Sequence, residues 1–257
     1  MGRLLYSLGA GFLDVSRQVG GITIMMLRVL SRLIPPRIDL PELMRSLFKM
    51  GVQSLPIVLV TSLLTGAIGV IQAAYLVKRY NAYGMVGAGA GFVVVRELGP
   101  VLIALMFSGR VGSNNTAELG TMVVTEQIDA LRALAIDPVR YLLVPRVLAM
   151  IFCMFILVFY GDFTAIVGGA FTAKLMLGVD YRVFLNGMIE WVELWDFWTG
   201  VIKAVFFGAI IALTSCYYGI AVTGGAPGVG RAVNAAVVAS AAGIFIFDFF
   251  VTGMLGG

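Results

Sequence analysis

Long apolar runs separated by short polar stretches set the pattern of this chain. Between Lys49 and Lys78 stand 28 residues without a charge. About 20 apolar residues suffice for a helix to cross the hydrocarbon of a bilayer, so 50–77 reads as a first span. Four more runs follow the same logic: 84–109, 147–173, 198–222 and 232–255. The second carries Arg96 and Glu97 in its middle, the third Asp162, the fourth Lys203 and the fifth Asp248. Lys203 lies near enough to one end for its head to snorkel to the interface. Five crossings put the two termini on opposite sides of the membrane.

Residues 3–34 are apolar but charged on one side. At 100° per residue, Arg3, Asp14, Arg17, Arg28 and Arg32 fall within about 60° of one another. A stripe of charges on an otherwise apolar helix predicts an amphipathic segment lying in the membrane interface. The alternative, a sixth span, would put Asp14 and Arg17 near mid-bilayer at a cost of a few kcal/mol each. Pro35-Pro36 ends the segment. The fold class predicted is an all-α integral membrane protein: an N-terminal interfacial helix plus five transmembrane helices, in a single domain over 1–257.

Composition agrees. Hydrophobic residues make up 60% of the 257 and charged ones only 12%, whereas soluble domains run near a quarter charged. The net charge of +4 collects near the N-terminus, which suits an anionic membrane surface better than nucleic acid. Cys153 and Cys216 lie in apolar runs and there is no histidine, so neither a disulfide framework nor a metal site is expected. With the N-terminus in the cytoplasm, Lys and Arg divide twelve to four in favour of the cytoplasmic side, the orientation that the positive-inside rule selects. The segment with Glu190, Trp191, Glu193, Trp195, Asp196 and Trp198 then faces outward, its tryptophans at the interface.

Three polar stretches are candidates for function. Charges within a span usually face protein or water. Neighbours on a helix point about 100° apart, so Arg96 and Glu97 each need a separate partner. They either line a cavity for a polar substrate group or anchor helices to one another. Pro100 predicts a kink there. A polar turn is expected at Gly112-Ser113-Asn114-Asn115-Thr116. Residues 118–137 then predict a cytoplasmic helix, with Thr125 as N-cap, Glu126 and Asp129 in the first turn, a shared face of Ile128, Leu131, Leu134 and Ala135, and a stop at Asp137-Pro138. Such a helix docks in a partner's groove or lies on its own protein. Gly225 to Ala232 comes close to GxxxxGK[ST] but lacks the Lys and Ser/Thr that reach phosphate and magnesium, and reads as a glycine-rich turn.

The ordered set Arg96-Glu97-Leu98-Gly99-Pro100, Ser108-Gly109-Arg110-Val111-Gly112-Ser113, Thr116-Ala117-Glu118-Leu119-Gly120-Thr121-Met122, Thr125-Glu126-Gln127-Ile128-Asp129-Ala130-Leu131 and Asp137-Pro138 closely resembles the MlaE-type permeases. These are membrane subunits of ABC transporters that work with MCE proteins on lipids. The resemblance implies a homodimer in the bacterial inner membrane. It implies a cytoplasmic ATPase subunit that holds ATP and magnesium, a small ATPase-associated accessory subunit, and a periplasmic ring of MCE protein. No cofactor or catalytic residue is implied in this chain. The 118–137 segment would be the coupling helix, with Glu118, Thr125, Glu126, Gln127, Asp129, Leu131, Arg132 and Asp137 toward the ATPase. Phospholipid would bind between spans one, two and five. Ile68, Ile71, Gln72 and Tyr75 share one helical face by their spacing. With Arg96, Glu97, Leu98 and Asp248 they form the expected lipid site, Arg96 grasping phosphate and Asp248 balancing it. Two other classes compete: an intramembrane lipid-modifying enzyme, which would need clustered acids or histidine, and a channel or secondary transporter without an ATPase.

Overall fold

The computed structural model describes residues 2–33 and 39–255. Among them every regular element is helical. Five helical stretches are long and apolar enough to cross a membrane: Leu40–Tyr80, Tyr83–Val124, Val139–Leu177, Leu194–Ile220 and Gly225–Met254. The protein is thus an all-α integral membrane protein. The charges of α1 (Gly2–Leu33) keep it out of that set. Asp14, Arg17, Arg28 and Arg32 are exposed, while Met25 and Val29 are buried.

The first crossing is two helices. A short amphipathic α2 (Leu40–Met50) that the hydropathy pattern conceals precedes α3 (Leu55–Tyr80), with a 3₁₀ turn between them. Asn81 closes α3 in the left-handed conformation, φ 54°, a conformation asparagine tolerates better than most residues. The second crossing continues past Gly109, where the polar pattern predicted a turn. It runs through α4 (Val86–Val93), a π-turn at Val94–Leu98, α5 (Gly99–Phe107), a second π-turn at Ser108–Gly112 and α6 (Ser113–Val124). Pro100 accounts for the first π-turn, because a residue without an N–H cannot close the α-helical bond one turn back. Asn115 and Thr116 stay helical because both are buried and bonded. Asn115 Nδ2 donates to Ser215 Oγ at 3.0 Å, and Thr116 Oγ1 donates to the Ser215 carbonyl at 3.2 Å.

The chain breaks at Thr125 and Glu126, the latter at φ 58°. The next helix, α7 (Gln127–Ala133), has only seven residues. A π-turn at Val139–Leu143, again just ahead of a proline, leads into α8 (Val144–Leu177). A second helix not read from the pattern, α9 (Tyr181–Trp191), lies between the third and fourth crossings. The last two are α10 (Leu194–Ile220) and α11 (Gly225–Leu255). The glycine-rich stretch expected as a turn forms the first turns of α11, and the turn itself is Ala221–Gly224.

The core lies where α8 packs on α3, α5 and α10, around Phe107, Met150, Met154, Leu157, Phe207 and Ile211. Small residues set the α3–α8 approach. Gly66 faces the Ala165 carbonyl and Gly168 the Leu63 carbonyl, with no room for a Cβ at either. Helices in lipid gain their contact from such close backbone packing, since burying apolar surface against apolar tails provides little drive. Gly87 likewise seats α4 against Phe184 of α9, whereas Gly89 faces open space.

Candidate functional site

Arg96 and Glu97 find separate partners, and both are on α10. Arg96 Nη1 donates to Asp196 Oδ1 at 3.0 Å, with the guanidinium over the Phe92 ring at 5.2 Å. Asp196 also belongs to the capping box that starts α10, accepting the Glu193 N–H at 3.0 Å. Two turns along the same face, Lys203 is fully buried. Its Nζ lies 2.6 Å from Glu97 Oε2, 2.9 Å from Asp248 Oδ1 and 2.8 Å from Thr252 Oγ1. Thr252 donates in turn to Glu97 Oε1 at 3.1 Å. One ammonium thus joins α10, the π-turn and α11.

The expectation that Lys203 snorkels to the membrane surface is therefore corrected. Two carboxylates offer the charge more than the interface would, so the side chain turns inward. Asp248 is corrected likewise: it pairs with Lys203 and not with Arg96, which is held by Asp196. The signals for Lys203 and Thr252 were present but faint. Lys203 is nine residues inside α10, and Thr252 is one turn from Asp248 on the same face.

The cluster is asymmetric in exposure. The Lys203 side chain is 0% exposed, those of Glu97 and Asp248 27% and 19%. The acids therefore face a cleft of about 560 Å³, rimmed by Phe245, Phe249, Thr252 and Gly253. Leu98 is half-buried beside Glu97. Ile68, Ile71, Gln72 and Tyr75 are all exposed on the outer face of α3, but none lines this cleft.

A second polar centre lies at the α7 end of the bundle. Glu118 accepts Lys49 Nζ at 2.6 Å and Arg146 Nη2 at 3.2 Å. Arg146 Nη1 donates to Asn115 Oδ1 at 3.0 Å. This ties α2, α6 and α8 together and continues to α10 through Ser215. Above it opens a cavity of about 430 Å³ between α2 and α7, walled by Met122, Leu131, Leu134 and Tyr141. Lys49 and Arg146 were not singled out from sequence, although Arg146 stands alone in an apolar run.

The residues expected to meet an ATPase divide here. Glu118 belongs to the internal network. Thr125 does not cap α7: its hydroxyl donates to the Thr121 carbonyl at 2.8 Å, and Glu126 takes the N-cap place. Glu126, Gln127, Asp129 and Arg132 are exposed, the last two paired at 2.8 Å. Ile128 is buried and Leu131 half-buried, but Leu134 is 71% exposed and Ala135 lies past the helix at φ 59°. Asp137 does not end α7. It accepts the Val139 N–H at 3.0 Å, opening the next helix, and pairs with Arg32 of α1 at 3.0 Å.

A family profile described as permease MlaE matches residues 43–254. A probable ABC transporter permease protein of Rickettsia typhi is 37% identical over 247 residues, 96% of this chain and 95% of that protein. One from Synechocystis is 37% identical over 228 residues, covering 89% and 87%. The chloroplastic protein trigalactosyldiacylglycerol 1 of Arabidopsis thaliana is 34% identical over 225 residues, 88% of this chain and 64% of its own length.

Proposed function

Since the chain belongs to the MlaE permease family and is an ABC transporter permease, we propose that it moves phospholipid between the bacterial inner membrane and a periplasmic MCE protein. The observation that carries this reading is the acid-lined, aromatic-rimmed cleft at Glu97 and Asp248. A phospholipid needs a polar contact beside apolar walls, both at membrane depth. Charged groups at that depth rarely face hydrocarbon and mark a substrate path or an internal contact. In this reading Glu97, Asp248 and Leu98 meet the headgroup region. The α3 face of Ile68, Ile71, Gln72 and Tyr75 borders the tails, and Arg96 supports the site by fixing α10. The name of the Arabidopsis relative, which contains a glycolipid, supports a lipid as cargo.

The chain works as a homodimer in the inner membrane, its N-terminus cytoplasmic, its C-terminus periplasmic and α1 in the cytoplasmic interface. The exposed side of α7 meets a separate ATPase that binds ATP and magnesium, with a small accessory subunit attached to it. The test is purification of the tagged permease in mild detergent from its native host, followed by mass spectrometry of its proteins and lipids. The expected result is an ABC ATPase, an MCE-domain protein and enriched phospholipid. A permease recovered at full yield with neither protein would sink the reading.

A further inference from the structure

The cavity of about 430 Å³ between α2 and α7 lies beyond the bilayer. The second crossing runs 42 residues, Tyr83–Val124, about 63 Å at 1.5 Å per residue. A bilayer with its headgroups is only about 40–45 Å thick. The apolar run of that crossing is 84–109, so the excess of roughly 20 Å falls at the α6 end. There Glu118 and Met122 line the cavity. Lipid tails therefore do not reach its walls, yet Leu134 is 71% exposed and Tyr141 41%. Met122 and Leu131 complete this apolar wall. The α2 side is polar and carries both signs. Glu42 lies 3.9 Å from Arg45, and Lys49 is on Glu118, which Arg146 also holds. Paired charges of both signs select neither a free anion nor a free cation. An exposed apolar patch with a polar rim marks a protein-docking site, and the anchors at such sites are bulky side chains that fill a pocket.

We propose that this cavity is a socket for one aromatic or large aliphatic side chain of the ATPase. The proposal rests on the reading that a separate ATPase meets α7. Two observations select that partner. Gln127, Ala130, Leu131 and Leu134 turn one face of α7 to the cavity, while Glu126 and Asp129 are exposed beside it. A protein on the outer side of α7 thus reaches the mouth of the cavity without leaving the helix. The floor is the second observation. Glu118 is tied to α2 and α8, and Arg146 reaches α10 through Asn115 and Ser215. A side chain seated on this floor pushes on four bonded helices, whereas contact with α7 alone moves seven residues.

The test uses permease and ATPase purified together from the native host. A photoreactive amino acid at position 122 or 134 should crosslink to the ATPase, at a segment that carries an aromatic or large aliphatic residue. Ala130→Trp fills the socket from an exposed position on its wall. It should lower the ATPase recovered about tenfold or more, as loss of a central anchor does. The unfolding temperature of the full-length permease should not change. If Ala130→Trp does not accumulate, the crosslinks decide alone. Adducts to lipid, to a second copy of this chain or to an ATPase segment without such a residue overturn the socket and leave the transporter reading standing. Wild-type recovery of the ATPase with Ala130→Trp does the same. A wild-type permease that brings down no ATPase overturns both.

Discussion

Lys203 joins two carboxylates from two other helices, so its removal and its neutral replacement are different experiments. Removing one partner of a buried ion pair leaves uncompensated charge and costs roughly 3–5 kcal/mol, whereas replacing the whole set by neutral groups is often harmless. Lys203→Met should therefore lower the unfolding temperature in detergent sharply. Adding Glu97→Gln and Asp248→Asn to it should recover most of the loss. A triple variant no more stable than the single one would mean that the cluster's hydrogen bonds, not its charge balance, hold α10 to α11. Glu97 and Asp248 were legible in the sequence because a charge inside an apolar run has few places to go. Lys203 was not, because a lysine near a span end has two physical outcomes and only the fold selects between them. Ser215 gave no signal at all, since a neutral polar residue barely alters the hydropathy of a helix, and Asn115 was legible only as part of a turn.

At the scale of elements, the five crossings were legible and the short helices were not. The apolar runs exceed what a bilayer needs, but α2 and α9 mix charge and apolar residues over 11 residues each, too few to separate an amphipathic period from a loop. The stretch 112–116 misled for another reason. Asn, Ser and Thr favour turns when their side chains compete for the backbone, but here α10 and Arg146 engage Asn115 and Thr116, and the Ser113 hydroxyl bonds carbonyls one turn back in the same helix. α7 is where an element-scale prediction belongs. Its buried side is fixed by Ile128, and its outward side carries Glu126 and Asp129. Charge reversal across a complementary interface costs a few kcal/mol. Glu126→Lys with Asp129→Lys should therefore reduce ATPase recovered with the permease by about tenfold or more, while the amount of permease in the membrane is unchanged. Wild-type recovery of the ATPase would remove α7 as the coupling element.

At the scale of the whole molecule, the helices differ in how much protein surrounds them. In its most apolar stretch α8 is 67% buried, but α11 only 17%. A helix that carries Asp248 and faces an acid-lined cleft cannot turn that side to hydrocarbon cheaply, so something other than lipid tails must cover it. A second copy of the chain would cover it and leave a chamber bordered by the α3 face of each protomer. Gln72, a polar residue among the exposed Ile68, Ile71 and Tyr75, fits a chamber wall better than a lipid-facing surface. The lipid-facing alternative is the outer side of α8, where Phe163, Val167 and Phe171 are exposed. Photoreactive amino acids separate the two. At positions 75 and 98 they should trap phospholipid that survives purification of the complex, and the yield should fall when ATP turnover is stalled with the chamber empty. At positions 163 and 171 they should trap only lipid that exchanges freely with added detergent. Retained adducts at 163 and 171, with none at 75 or 98, would move the lipid path to the outside of α8 and leave the Glu97–Lys203–Asp248 cluster as an anchor between helices.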